Sequence, residues 1–203
     1  MTTDPSGYAR HTIWSDPGRH AEAIARLSPD PSTLVGKIAN LVLHPTFAAA
    51  RGVDPATNGI ADSDVRRIPD VVDILLDRDS RPLDVPRAPA ARLLGSCRTY
   101  ALMAASVLRR HGTPARLRVG FANYFSTTFN VDHWVCEYWS DAGWRLLDAE
   151  LDEDTRGPLG LDFPSHDVPR SRFVVAAEAW TAIRSGQADP DRFGVPYTSR
   201  LIE

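Results

Sequence analysis

The chain has one lysine, Lys37, so 22 of its 23 basic residues are arginine. These arginines stand singly or in pairs and build no stripe, and the formal net charge is only −3. A polyanion partner calls for a concentrated positive face, so nucleic-acid binding is disfavoured. With the many Ala, Pro and Asp residues, the arginine excess reads as the composition of a GC-rich genome rather than a binding surface. Apolar runs of membrane-spanning length are missing as well. The first twenty residues carry Asp4, Pro5, Arg10, Asp16, Pro17 and Arg19 and lack the apolar stretch of a secretory leader. The expectation is a cytoplasmic protein with no membrane partner. Cysteine is scarce too: Cys97 and Cys136 are the two present. In a cytosolic chain two cysteines read as free thiols, and they are too few for a Cys-rich zinc site. No metal or cofactor is expected, and there is no internal repeat or low-complexity segment.

What is present is an ordinary globular composition, 43% hydrophobic and 24% charged. At 203 residues the length suits a single domain spanning 1–203 with one sizeable core. Residues 1–18 are polar and irregular, with Tyr8, Ile13 and Trp14 as apolar residues able to pin them down. Ala23, Ile24 and Leu27 predict a helix over about 19–28, stopped by Pro29-Asp30-Pro31. Leu34, Val35, Ile38, Leu41 and Val42 form the apolar stripe of a second helix, which Pro45 must break after His44. An Ala-rich continuation ends at Arg51-Gly52, followed by a loop over 53–61. Asp62-Ser63-Asp64 offers caps for a short helix, and Pro69 opens another carrying Val71, Val72, Ile74, Leu75 and Leu76. Residues 79–90, with Pro82, Pro86 and Pro89, read as an extended linker on the surface.

From residue 91 the character changes. Ser96 is a natural N-cap for an Ala-rich helix starting at Cys97, and His111-Gly112-Thr113-Pro114 stops it. Leu117 and Val119 alternate with Arg116 and Arg118 in a strand over 115–120. An aromatic, Asn/Ser/Thr-rich loop covers 121–131. His133–Trp139 and Trp144–Ala149 are strands joined by the hairpin turn Ser140-Asp141-Ala142-Gly143. An acidic loop fills 150–167, a last helix lies near 174–185, and the tail from Gly186 is loop-like. The fold class is therefore α+β: a helical preamble over 1–90, then the Cys97 helix packed on an antiparallel sheet over 91–150, and a C-terminal loop and helix over 151–203.

Three residues in this layout suit one another chemically. A cysteine attacks acyl carbons as the thiolate, and at the first helical position Cys97 meets unpaired amides and a dipole that favour negative charge. His133 can take a thiol proton and return it to a leaving group. Asp148, on the partner strand, can hold one ring nitrogen and fix the tautomer. The turn at 140–143 pairs residues whose numbers sum to about 283, which brings His133 near residue 150 and within diagonal reach of Asp148. Glu150 shares that strand face and competes for the same role.

Gly-Ser-Cys97-Arg-Thr-Tyr with its helix, His-Gly-Thr-Pro-Ala-Arg-Leu-Arg-Val-Gly-Phe, Asp-His133-Trp-Val-Cys-Glu-Tyr-Trp and Trp-Arg-Leu-Leu-Asp148-Ala-Glu together resemble the transglutaminase-like superfamily, which shares a papain-like cysteine-protease core. The separations, 36 residues from Cys97 to His133 and 15 more to Asp148, fit its bacterial members. The resemblance covers roughly 92–150. It implies Cys97 as nucleophile, His133 as base and Asp148 as orienting acid. The superfamily includes cross-linkers, peptidases, deamidases, amide-forming biosynthetic enzymes and inactive members. The implied activity is acyl transfer through a thioester. The donor would be a peptide, protein or small-molecule amide or thioester, including a carrier-bound one, and the acceptor an amine or water. The alternative is a catalytically inactive relative that binds a peptide or small molecule in the same cleft.

The substrate-binding candidates are Tyr124, Phe125 and Trp134. Tyr124 and Phe125, with Phe129, either wall an acyl pocket or cover the core. Trp134, like Tyr138, Trp139 and Trp144, also suits hairpin packing. Cys136 alternates onto the face opposite His133 and reads as a packed apolar residue. His44 and His111 read as structural, and His20 or His166 could line a cleft.

Overall fold

The computed structural model describes residues 4–58 and 61–195. Residues 1–3, 59–60 and the tail beyond Val195 lie outside them. In chain order the helical half comprises α1 (Ala21–Ala25), α2 (Pro31–Ala39), α3 (Pro45–Ala48), α4 (Pro55–Asn58) and α5 (Ile68–Arg78), with the two-residue strands β1 (Val42–Leu43) and β2 (Leu93–Leu94) on either side of α3–α5. Then come α6 (Cys97–Arg110), β3 (Ala115–Ala122), β4 (Asn130–Ser140), β5 (Gly143–Leu147), α7 (Glu153–Arg156), β6 (Phe173–Val175), α8 (Ala176–Arg184) and β7 (Phe193–Gly194). The arrangement is α+β, with helices first and then α6 packed on a sheet of order β5-β4-β3-β6. All pairings along that path are antiparallel. β7 adds a short parallel rung to β4 at Asn130 and Val131.

The hairpin has the expected register, since Ser140 pairs with Gly143 and Cys136 with Leu147. Gly143 takes the left-handed φ of 97° that the tight turn requires. One core joins both halves: Leu34, Ile38, Val71, Leu75 and Leu93 pack with Met103, Val107, Leu108, Cys136 and Leu147. Helix α6 is central because ten of its fourteen residues are buried. Its far end stops at His111, whose Nε2 donates to the Leu27 carbonyl at 3.1 Å, and at Gly112 with φ 80°. A second cluster, including Tyr124, Val135, Leu146, Phe163 and Phe173, lies apart from the first.

Several expectations are corrected. The second helix stops at Ala39, not at Pro45. Val42 and Leu43 leave it to pair in parallel with Leu93 and Leu94. Pro45 then opens α3 instead of breaking a helix, and His44 caps that turn with Nδ1 accepting from the Thr46 amide at 3.2 Å. A residue before proline is pushed to extended backbone, which suits a strand end and an N-cap equally. The 53–61 loop contains α4. Asp62 serves as an ion-pair acceptor more than as a cap: Arg78 donates to both its oxygens, at 2.7 and 2.9 Å, and the Leu94 amide adds a third bond. The 79–90 segment is not merely laid on the surface. It wraps Arg87, which is 2% exposed and donates to the carbonyls of Asp79, Arg81, Pro82 and Val85. Near the N-terminus, Ile13 and Trp14 stay exposed, and the anchor is the buried Ser15. Its carbonyl accepts from Ser106 and its hydroxyl from Arg109, both at 2.8 Å.

Candidate active site

The site forms where three non-adjacent pieces converge. The first is the start of α6. Ser96 holds extended backbone, and its carbonyl accepts from the amides of Thr99 at 2.8 Å and Tyr100 at 3.4 Å. It is the N-cap by position, although its hydroxyl makes no capping bond. Cys97 is thus the first helical residue and is partly exposed. The preceding Gly95 is needed because a Cβ there would lie 2.9 Å from both Val42 Cγ1 and Thr99 Cβ.

The second piece is β4. His133 stands opposite Gly120 in the ladder and is only 3% exposed. The third is the end of β5, where Asp148 is 1% exposed. His133 Nε2 donates to Asp148 Oδ2 at 2.7 Å. The same oxygen accepts from the Tyr124 hydroxyl at 2.6 Å, and Oδ1 accepts from the Glu150 amide at 3.0 Å. The Asp148 amide in turn donates to the Ser165 carbonyl at 2.8 Å. Nε2 is committed to Asp148, and Cys97 is near enough to His133 to help raise the ring's affinity for its proton. Burial alone would drive the ring neutral. The charge and hydrogen bond of Asp148, with help from Cys97, outweigh it and hold the His133 proton well above the usual range. Tyr124 is driven the other way from ionisation: burial first, then Asp148, keep its phenol protonated as a donor.

The structure thus brings Cys97, His133 and Asp148 together. The hydrogen bond from His133 runs to Asp148, not Glu150. Glu150 is itself buried, and among the described residues its Oε2 finds no hydrogen-bond partner. Burial first, and then Asp148, push its carboxyl up to about 7 against the opposing charge of His133. Tyr124 and Phe125 both meet the His133 ring edge-on, with centroids 6.0 and 5.0 Å away. Tyr124 thereby holds Asp148 as well as flanking His133, a bond that the aromatic loop's sequence did not reveal. Trp134 pairs with Val119 and by strand alternation faces away from His133. Trp139 and Trp144 stack edge to face at 5.4 Å within the hairpin. His20 bonds Asp73 instead of lining a cleft. His166 does line one, of about 470 Å³, with Lys37, Asn40, Asp152, Arg156 and Ser165, to which neither Cys97 nor His133 contributes.

Residues 63–149 match the family model of the transglutaminase-like superfamily. The chain carries a transglutaminase-like domain. The match takes in α5 and the Arg87 loop as well as the three converging pieces, and it ends one residue beyond Asp148. Neither the curated proteins nor the solved structures yielded a match to the chain. Among the described residues, no group of three or more His, Cys, Asp or Glu could hold a metal ion, and no helix is long and apolar enough to cross a membrane.

Proposed function

We propose that this transglutaminase-like protein is a cysteine acyltransferase or amidohydrolase, with Cys97 as nucleophile, His133 as general acid and base, and Asp148 as its orienter. The single observation that carries the reading is the buried His133 ring, near the Cys97 end of α6, donating at 2.7 Å to a carboxylate that is itself triply hydrogen-bonded. In the first half-reaction the Cys97 sulfur, its proton held by His133, attacks the acyl carbonyl carbon. The carbonyl electron pair moves to oxygen. Collapse of that intermediate breaks the bond to the leaving group, which departs with the proton from His133 and leaves a thioester. In the second half-reaction an amine or water attacks the thioester carbon and gives its proton to His133. Cys97 is then expelled, and the product is an amide or an acid.

The donor is an amide or thioester on a peptide, protein, small molecule or carrier. Phe125, half-buried against His133, is the aromatic best placed to meet its acyl chain, with Tyr124 behind it, whereas Trp134 lies on the other face of β4. The core shared by α2, α5 and α6 supports treating the chain as one unit. Intact-mass spectrometry after incubation with a panel of amide and thioester donors tests the proposal. Wild type should gain an acyl mass that Cys97→Ala does not. A wild type that gains none, and whose Cys97 also resists iodoacetamide at neutral pH, is a binding protein without this chemistry.

A further inference from the structure

The acyl-transfer reading generates a negative oxygen on the attacked carbonyl, and a site for it needs donors aimed from two directions. The Cys97 amide is one natural donor, since amides of the first helical turn have no intrahelical acceptor. The structure assigns the second to His44: we propose that its Nε2–H joins the Cys97 amide in holding the oxyanion.

Four observations converge on this residue. First, β1 and β2 set it beside the start of α6. Leu43 pairs with Leu94, and the Leu43 carbonyl accepts from the Gly95 amide at 3.1 Å, so His44 follows directly alongside Gly95-Ser96-Cys97. Second, the segment is bolted to the same helix one turn beyond Cys97. The buried Tyr100 donates to the Val42 carbonyl at 2.9 Å, two residues before His44. Third, the His44 ring is close enough to His133 to feel its charge. Fourth, the tautomer is settled locally. Nδ1 accepts from the Thr46 amide and so carries no proton, which leaves the proton on Nε2. Among the described residues Nε2 has no hydrogen-bond partner, and it is not sealed in the core.

A capping role explains Nδ1 and nothing else. Ser, Thr, Asp or Asn would cap as well, whereas only a ring with a second nitrogen carries a donor onward to the site. Burial first, and His133 second, push the His44 ring down to about 4. It is therefore a neutral donor at working pH and does not compete with His133 for the catalytic proton. In the reaction its proton stays on Nε2. The hydrogen bond shortens as the carbonyl electron pair moves to oxygen and relaxes when the leaving group departs.

The test rests on the proposed acyl transfer and separates the two ideas. His44→Asn keeps an oxygen that can accept from the Thr46 amide and removes the Nε2 donor, so the cap survives. Two reactions of Cys97 are compared. Acetylation by p-nitrophenyl acetate, followed by nitrophenolate release and the acetyl mass on Cys97, passes through an oxyanion. Alkylation by iodoacetamide displaces iodide at a saturated carbon and does not. The expected result is acetylation slower by about 10²-fold with alkylation unchanged. Equal acetylation in variant and wild type overturns the assignment. Loss of both reactions together also overturns it, because His44 would then act through the Cys97–His133 pair. A wild type that is alkylated but never acetylated overturns the acyl-transfer reading itself, and the assignment falls with it. If the Asn variant melts early, His44→Ser offers a second capping residue without the donor, and the same comparison applies.

Discussion

Replacing Asp148 by asparagine is the sharpest perturbation of the site, because shape is kept while charge and one acceptor are lost. Three donors converge on this carboxylate: Tyr124 and His133 on Oδ2, and the Glu150 amide on Oδ1. An asparagine has one oxygen. Placed where Oδ2 was, it serves Tyr124 and His133 and turns its own NH2 toward the Glu150 N–H. Flipped, it serves Glu150 and faces two donors with a third. Either way a buried donor goes unmet, and a charge-assisted bond worth about 1.5–3 kcal/mol is lost. The larger consequence is for His133. Its ring titrates near 6.5 when unfolded and well above that when folded, so the contribution to stability is fully present below 6.5 and disappears as pH rises through the folded value. Without Asp148, burial becomes the dominant influence and favours the neutral ring. The stability gap between wild type and Asp148→Asn should therefore be widest on the acid side of 6.5 and shrink in alkali to the residue left by the unmet donor. Without Asp148 the imidazolium that forms when His133 takes a thiol proton is no longer stabilised, the ring is a weaker base, and acyl transfer should fall by about 10²–10⁴-fold. Urea unfolding across pH and the pH profile of Cys97 alkylation by iodoacetamide measure the two effects. A pH-independent stability gap together with an unchanged alkylation profile would refute the reasoning.

Two further predictions concern the sheet that carries the site. Glu137 is fully buried and accepts from Arg116 at 2.5 Å, Arg118 at 2.7 Å and Arg170. Glu137→Gln leaves three guanidiniums around a neutral amide. Removing one partner of a buried pair costs about 3–5 kcal/mol, and because the arginines are 21%, 31% and 50% exposed, solvent screening lowers the expectation to about 2–3 kcal/mol. Burial raises this carboxyl, but the three arginines outweigh it and hold it below its ordinary 4.5. The penalty should thus be present above 4.5 and fade as pH falls through the folded value, and a gap that persists unchanged into acid would count against the account. Gly120→Ala puts a Cβ 2.2 Å from the Val174 carbonyl oxygen and 2.8 Å from Phe173 Cζ, opposite His133 in the ladder. Overpacking of this kind costs about 1–3 kcal/mol, and equal urea midpoints for variant and wild type would show that β6 yields freely.

The parts of this molecule legible in the chain are those encoded by local, repeating chemistry. The turn at Ser140–Gly143 sets the register of its hairpin arithmetically, and Gly112 and Pro114 mark the stop of α6 without help from tertiary contacts. What escaped is short or long-range. Val42-Leu43 and Leu93-Leu94 are too brief to show alternation, and they read as helix and loop because each finds its partner some fifty residues away. The Leu41 and Val42 side chains continue the apolar spacing of α2, so periodicity cannot show that the backbone has already left the helix. β6 and β7 failed to register for the same reason of length. Arg87 and Asp62 look like surface charges in a polar stretch, and only the carbonyls and the Arg78 guanidinium gathered around them make burial tolerable. Within the site, the cysteine, histidine and aspartate were readable from spacing. The second bond of Tyr124 and the free nitrogen of His44 depend on where side chains end up.

The bond from the Asp148 amide to the Ser165 carbonyl has a consequence for when the protein becomes reactive. The neighbouring rung between Leu146 and Val168 and the Ser165 hydroxyl bond to the Leu151 carbonyl fasten the same stretch. During synthesis Cys97 emerges long before these residues, with no base in place and no acid to orient one. The Asp148 carboxylate is not held in place until the ribosome has released the chain past residue 168 and that strap has closed behind it. The His133–Asp148 bond therefore waits on residues 165–168, and its formation during refolding marks the moment at which that stretch of backbone has docked.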